Sequence, residues 1–150
     1  MIKSGRPVSA DVETRLPLLV EALARDETIE AIWLFGSRAR NEADSLSDVD
    51  IALLARGDLD ASAAWDRQLE WTRLAAEALG TDEVAIQIVN RLPVALRHAI
   101  LRDAQLLWSR SPEIAADFAA RSLKEYLDLK PHLDSYDRDL LRDAATGKLR

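Results

Sequence analysis

Cysteine is absent from this chain of 150 residues. Its absence excludes disulfides, zinc–thiolate sites and a cysteine nucleophile. No signal peptide and no long apolar run is visible, so we expect a cytoplasmic protein without a membrane-spanning segment. The length suits one compact domain with a real core, and an apolar content of 48% is typical of globular proteins.

A basic patch is also lacking. The net charge is −6, and the segment from Asp58 to Glu83 contains seven acidic residues against two arginines, Arg67 and Arg73. A protein that binds nucleic acid needs a basic stripe to displace the counterions of the phosphates. We therefore expect no direct nucleic-acid partner. The acidic segment suits solvent or a basic partner protein, and the charge is compatible with a nucleotide that carries its own magnesium ion.

Hydrophobic periodicity predicts an α/β core followed by a helical tail. The predicted strands cover residues 29–35, 48–55, 83–89 and 105–108, the last as an edge strand. The predicted helices cover residues 12–25, 60–79 and 93–103, and about forty residues remain for two further helices that end at Gly147. We expect residues 1–110 to form the core and residues 111–150 to form a helical extension packed on it.

The helix predicted over residues 60–79 presents two apolar surfaces. One side consists of Trp65, Leu69, Ala76 and Leu79. Trp71 lies roughly 120° from that side, because each helical residue turns by about 100°. Trp71 therefore either packs at the edge of the core or belongs to a surface that binds a partner. The second surface consists of Trp71, Leu74 and Ala78, flanked by Glu70 and Glu77. An aromatic anchor with an acidic rim suits a basic partner.

The tail carries two apolar stripes. The first consists of Ile114, Phe118, Tyr126 and Leu127, and the second of Leu133, Tyr136, Leu140, Leu141 and Ala144. Because short helices are marginal alone, part of the second stripe should cover the core. That expectation leaves the Trp71 surface as the more available docking site. Tyr126 and Tyr136 are expected in the core, and His98 and His132 at the surface.

The stretch GSRARNEADSLSDVD contains the residues that suggest chemistry. Asp48 and Asp50 start an apolar strand, in which alternate residues project to the same side. Two such carboxylates repel each other unless a cation lies between them, and Mg²⁺ prefers carboxylate oxygens. Gly36 and Ser37 close the preceding strand and open a turn into a short helix, whose amides and hydroxyl suit a phosphate. Arg38 could add a phosphate contact. Taken separately, these residues are ordinary turns and caps.

The complete pattern, Gly-Ser followed after ten residues by Asp-x-Asp, resembles the signature of the DNA polymerase β-like nucleotidyltransferases. The resemblance implies a small mixed sheet flanked by helices. It implies that Gly36 and Ser37 bind the nucleotide and that Asp48 and Asp50 are catalytic and hold Mg²⁺, with ATP as substrate; Arg38 is a further nucleotide-binding candidate. Nucleotidyl transfer depends mainly on alignment and charge neutralisation, which such a site can supply.

Two further segments are similar to the minimal nucleotidyltransferase antitoxins (MntA-type) that pair with HEPN toxins: LPVALRHAILRDAQLLW and FAARSLKEYLDLKPHLDSYDRDLL. The resemblance covers roughly Val12 to Leu141. It implies transfer of AMP from ATP to a tyrosine hydroxyl of a HEPN RNase toxin. A HEPN domain is larger than the forty tail residues, so the toxin should be a separate chain in a hetero-oligomer.

One position departs from the family pattern. The third carboxylate of the family lies early in the strand before LPVALR, where this chain has Ala85. Glu83 and Gln87 lie two residues before and after Ala85 on the same side of the strand, each about 6.6–6.8 Å from Ala85 along the strand. The departure favours an alternative function, that of an antitoxin that neutralises by binding alone. An aminoglycoside-type nucleotidyltransferase is a weaker alternative, because nothing resembles a drug-binding domain.

Overall fold

The computed structural model describes residues 12–40 and 48–146, with side chains up to residue 143. Its helices are α1 (Val12–Ala24), α2 (Ala61–Leu79), α3 (Val94–Arg102) and α4 (Pro112–Thr146), with a short 3₁₀ turn at Val89–Arg91. Its strands are β1 (Ile29–Phe35), β2 (Val49–Ala55), β3 (Val84–Ile88) and β4 (Gln105–Ser109). The predicted α/β core with a helical tail is confirmed, and Gly147 lies outside the described residues.

The four strands form one mixed sheet in the order β3-β2-β1-β4. β1 is antiparallel to both β2 and β4, whereas β2 and β3 are parallel. The predicted edge position of β4 is confirmed. The parallel pair needs a crossover connection, which α2 provides.

Helices cover both faces of the sheet. On one face, Ile32, Leu34, Ile51 and Leu53 are buried with residues of α1 and α2. On the other face, Ala31, Trp33, Ala52 and Leu54 are buried with residues of α3 and α4. Because side chains alternate along a strand, each strand contributes to both cores, and the central strands β1 and β2 are apolar on both sides.

The buried side of α2 differs from the prediction. The helix has the predicted bounds, since the Asp60 side chain accepts a hydrogen bond from the Ala63 amide and Gly80 ends it at φ 72°. However, Trp71 is only 1% exposed, whereas Trp65 is 63% exposed. The side that carries Trp65 and Leu69 is thus exposed. Of the two alternatives for Trp71, the core position is confirmed and the docking surface is wrong.

The reason lies in small residues and one polar contact. The buried positions of α2 are Ala64, Trp71, Ala75 and Leu79, and the two alanines let the helix approach the sheet closely. The indole Nε1 of Trp71 donates to Asp26 Oδ2 at 2.9 Å, which satisfies its polar edge inside the protein. The spacing of large apolar residues along α2 therefore does not reveal which side of the helix is buried.

The tail is one helix of 35 residues rather than two, and Pro131 lies inside it. At 1.5 Å per residue such a helix is about 52 Å long, whereas a seven-residue strand spans about 23 Å. The sheet is therefore too short to cover the whole helix. Accordingly, Tyr136 is 62% exposed and Leu141 is 72% exposed, so the expectation that this stripe covers the core was wrong.

The first half of α4 does contact the core. Ala115 and Phe118 are buried against the sheet, and the ring of Tyr126 stacks on His98 of α3 with centroids 3.8 Å apart. His98 is thus half-buried rather than at the surface, while His132 is exposed as predicted.

Candidate functional site

The turn after β1 is built around Gly36. Gly36 has φ +75°, a conformation that other residues rarely adopt, and its carbonyl accepts hydrogen bonds from the amides of Ala39 and Arg40 at 3.1 and 3.3 Å. Residues 36–40 therefore form a turn of helical type. The rest of the predicted short helix lies outside the described residues.

Gly36 and Asp50 lie against each other. The last residue of β1, Phe35, is the register partner of Asp50 in β2, so the turn sits directly beside that carboxylate. A Cβ on residue 36 would overlap Asp50 Oδ2 and would lie 3.1 Å from its Cγ. Glycine is thus required at this position for two reasons: its backbone conformation, and the space that the Asp50 carboxylate occupies.

The two aspartates occupy different environments. Asp50 is half-buried within β2, whereas Asp48 is exposed directly before the strand. The amide of Val49 between them donates to the carbonyl of Glu83 at 2.9 Å, which ties this end of β2 to β3. The structure places Asp50 in β2 beside Gly36, whereas Asp48, predicted as the first residue of this strand, lies just before it.

Ala85 is the direct neighbour of Asp50. The two residues are Cα partners in the parallel β2–β3 ladder, so their side chains project from the same face of the sheet. Gln87 pairs with Ala52, one alternation farther along. Within residues 12–40 and 48–146, no group of three acidic or histidine side chains that could hold a metal ion is present. The residue beside Asp50 on β3 therefore carries only a methyl group.

Arg38 points away from solvent. It is 7% exposed, and its Nη1 lies 3.5 Å from Glu13 Oε1 of α1. The contact ties the turn after β1 to the first helix. A phosphate contact by Arg38, expected from the sequence, stays a prediction.

Gln105 is a site residue that sequence reasoning missed. It is the first residue of β4 and pairs with Leu34 of β1. Its Nε2 donates to the carbonyl of Ala39 at 2.7 Å, so β4 holds the turn in place from the other side. The two residues are 66 positions apart, and no local pattern in the sequence links them.

An aspartate pair beside a glycine-serine turn, at one end of a small mixed sheet, is the arrangement of a nucleotidyltransferase. The family model "Polymerase beta, Nucleotidyltransferase" matches residues 18–113, well over half of the chain. The chain belongs to this family, and the predicted polymerase β-like fold is confirmed. No curated protein matches the sequence.

Solved structures with the same fold include antitoxins. A toxin–antitoxin crystal structure with AMP-PNP is 23% identical, with a TM-score of 0.68, covering 86% of this chain and 98% of that chain. A rebuilt structure of tri-AMPylated Shewanella oneidensis HEPN toxin in complex with MNT antitoxin is 21% identical, with a TM-score of 0.67, covering 87% and 98%. A toxin–antitoxin structure named MntA-HepT is 21% identical, with a TM-score of 0.66, covering 86% and 98%. The expected similarity in fold to MntA-type antitoxins is thereby confirmed.

The part of the chain that the structure describes contains no helix long and apolar enough to cross a bilayer.

Proposed function

We propose that this protein is an antitoxin-type nucleotidyltransferase that transfers AMP from ATP to a tyrosine hydroxyl of a HEPN RNase toxin on a separate chain, and thereby neutralises it. The observation that supports this best is the packing of Asp50 against Gly36, with Asp48 two residues before Asp50. That geometry preserves the family's Gly-Ser and Asp-x-Asp pattern in space. The structural similarity to antitoxins in complex with HEPN toxins supports the partner.

The site residues fit a magnesium ion in part. Two carboxylates supply the oxygen ligands that Mg²⁺ prefers, and the ion keeps several water molecules when few protein ligands are available. Asp48 and Asp50 would hold the ion. When bound, Mg²⁺ supplies neutralisation of the charge that develops on the triphosphate.

The protein's own residues then position the reactants. Amides of the turn that starts at Gly36, together with the Ser37 hydroxyl, bind phosphate oxygens. The tyrosine oxygen attacks the α-phosphorus, a new O–P bond forms, and the bond to the pyrophosphate breaks. The tyrosine proton passes to water. The products are AMP-tyrosine and pyrophosphate.

A second candidate, an antitoxin that acts by binding alone, is favoured by Ala85. Because Ala85 pairs directly with Asp50, the missing carboxylate would have stood at the metal site itself. In this second case the nucleotide site binds ATP without efficient transfer.

Mass spectrometry of a HEPN toxin separates the two candidates. A HEPN toxin, which we expect to be encoded near this gene, is incubated with the protein, ATP and Mg²⁺, and we expect a mass increase of one or more AMP units on a tyrosine. An unmodified toxin in a stable complex supports the binding-only candidate. The absence of both modification and complex contradicts the antitoxin role.

The nucleotide site is tested separately by calorimetry. The double variant Asp48→Asn/Asp50→Asn keeps the shapes of both side chains and removes their charges. We expect it to lose Mg²⁺-dependent ATP binding while its circular dichroism spectrum is unchanged. Unaltered affinity would refute the site assignment, whatever the toxin assay shows.

A further inference from the structure

The face of α4 that packs on the core continues beyond the core. Ala115, Phe118 and Ser122 on this face are buried, at 2, 6 and 2% exposure. Continuing in steps of three or four residues, the same face carries Tyr126, Leu129, Leu133, Tyr136 and Leu140. This spacing keeps apolar residues on one side of a helix.

Coverage of that face ends near Tyr126. Tyr126 stacks on His98 of α3, the helix that lies along the first half of α4. Farther along, Leu129 and Leu133 are half-buried, Leu140 is 37% exposed and Tyr136 is 62% exposed. We call the segment Leu129–Leu140 on this face the α4 seam. Pro131 lies on the opposite side of the helix, so it does not interrupt the seam.

We propose that the α4 seam pairs with the α4 seam of a second copy of this chain, in antiparallel orientation. In such a pair, Leu133 packs on Tyr136 of the second copy and Leu129 on its Leu140, each contact occurring twice by symmetry. The two-fold axis passes between positions 134 and 135. The two globular cores then lie at opposite ends of the helix pair.

Charges beside the seam support this register. Helix residues next to the apolar positions face their equivalents across an antiparallel pair. Lys130 then faces Asp137 of the second copy, while His132 lies opposite its Asp139, which already pairs with Arg142 of its own helix at 2.8 Å. Among the described residues, Asp137 has no ion-pair partner within its own chain. Lys130 contacts Asp134 of its own helix at 2.8 Å, an exposed pair that exchanges partners at little cost.

The neighbouring registers place like charges opposite each other. A shift by seven residues in one direction places Asp137 against Asp137 and Asp139 against Asp139. The opposite shift places Lys130 against Lys130. A parallel pair would bring both cores to the same end, where α3 already covers the face at Tyr126. The charges therefore select one antiparallel arrangement.

Sedimentation equilibrium without nucleotide tests the dimer. We expect the average mass to rise with concentration toward twice the chain mass of 16.7 kDa. The seam is short, so the association should fall in the micromolar range. Tyr136→Ala/Leu140→Ala should weaken it at least about tenfold. Leu141→Ala is the matched control, because Leu141 is 72% exposed and lies off the seam.

Charge exchange tests the register. Lys130→Glu should weaken the dimer, because the new carboxylate faces Asp137. Lys130→Glu/Asp137→Lys should restore it. Failure of the double variant to recover association, with an unchanged helical content, would overturn the proposed pairing.

The lack of native cysteine allows a test of orientation. In a mixture of Leu129→Cys and Leu140→Cys chains, oxidation should give a disulfide-linked dimer. Neither variant alone should link, because identical positions lie about 16 Å apart along an antiparallel pair. Linkage of each variant alone indicates a parallel pair and overturns the proposal. So does a protein that stays monomeric up to submillimolar concentration, or a double alanine variant that still dimerises. These outcomes do not bear on nucleotide transfer.

Discussion

Trp71 and Asp26 form a hydrogen bond across 45 residues of sequence: the indole Nε1 lies 2.9 Å from the carboxylate Oδ2. Asp26 lies in the loop between α1 and β1, and Trp71 lies in the middle of α2. The same carboxylate accepts bonds from the amide and hydroxyl of Thr28 at 2.9 and 2.6 Å. One carboxylate thus joins the loop before the sheet to the helix that covers it.

The burial of Trp71 predicts a large loss of stability on truncation. Trp71→Ala should lower the free energy of unfolding by about 3–5 kcal/mol, because it leaves a cavity and removes one of the hydrogen bonds that Asp26 accepts. Trp65→Ala is the control on the same helix, and its cost should stay within about 0.5 kcal/mol because Trp65 is 63% exposed. Urea unfolding of both variants gives the comparison. Equal losses for the two variants would show that Trp71 does not occupy the core.

The contacts of Asp26 predict that the free energy of unfolding depends on pH in the acidic range. Burial alone raises the pKa of Asp26, but the hydrogen bonds from Thr28 and Trp71 outweigh it and hold the pKa below its ordinary value of 3.8. A carboxyl whose pKa is lower in the folded state stabilises the fold fully above its unfolded pKa. That stabilisation is lost as the pH falls through the folded pKa.

The variant Asp26→Asn isolates this contribution. The difference in unfolding free energy between wild type and Asp26→Asn should be constant near neutral pH. It should shrink as the pH falls below about 4, since the wild-type carboxylate becomes protonated. Urea unfolding at a series of pH values checks the sign. A difference that grows toward acid pH would contradict the lowered pKa.

The overlap between a residue-36 side chain and Asp50 predicts a specific defect in Gly36→Ala. The variant has two costs: about 1–2 kcal/mol for a non-glycine residue at positive φ, and displacement of the Asp50 carboxylate. Gly57→Ala is the matched control, since Gly57 has φ +76° but open space around its Cβ position. Gly57→Ala carries only the first cost, so Gly36→Ala should lose at least as much stability as Gly57→Ala. Only Gly36→Ala should lose Mg²⁺-dependent ATP binding in calorimetry, and equal binding by both would place the metal away from Asp50.

The pairing of Ala85 with Asp50 predicts a gain of activity. Neighbouring strands lie about 4.8 Å apart, so Ala85→Asp would place a carboxylate beside Asp50, within reach of one shared cation. We expect faster AMP transfer to the HEPN toxin, by at least about tenfold if the third ligand stabilises the transition state. Ala95→Asp, at an exposed position of α3, is the control for added charge. If wild type is already fast and Ala85→Asp brings no gain, Glu83→Gln is the next variant to assay.

Local patterns in the sequence determined much of this protein. Strand alternation and the extent of α2 depend on neighbouring residues, and both were predicted at nearly their observed bounds, as was the edge position of β4. The proximity of Gly36 to Asp50 could also be predicted, because Gly36 directly follows β1 and Asp50 lies in β2, the next strand along the chain. Two adjacent strands with a single register bring such residues together.

Only the tertiary structure decided the rest. The side of α2 that faces the sheet depends on the close approach allowed by Ala64 and Ala75, and on an acceptor for the Trp71 indole that comes from a distant loop. The exposure of the α4 seam follows from the length of the sheet rather than from the helix itself. The positions of Gln105 at the turn and of Ala85 beside Asp50 follow from strand order and register. These relations join residues far apart in the chain, so no periodicity within one segment can contain them.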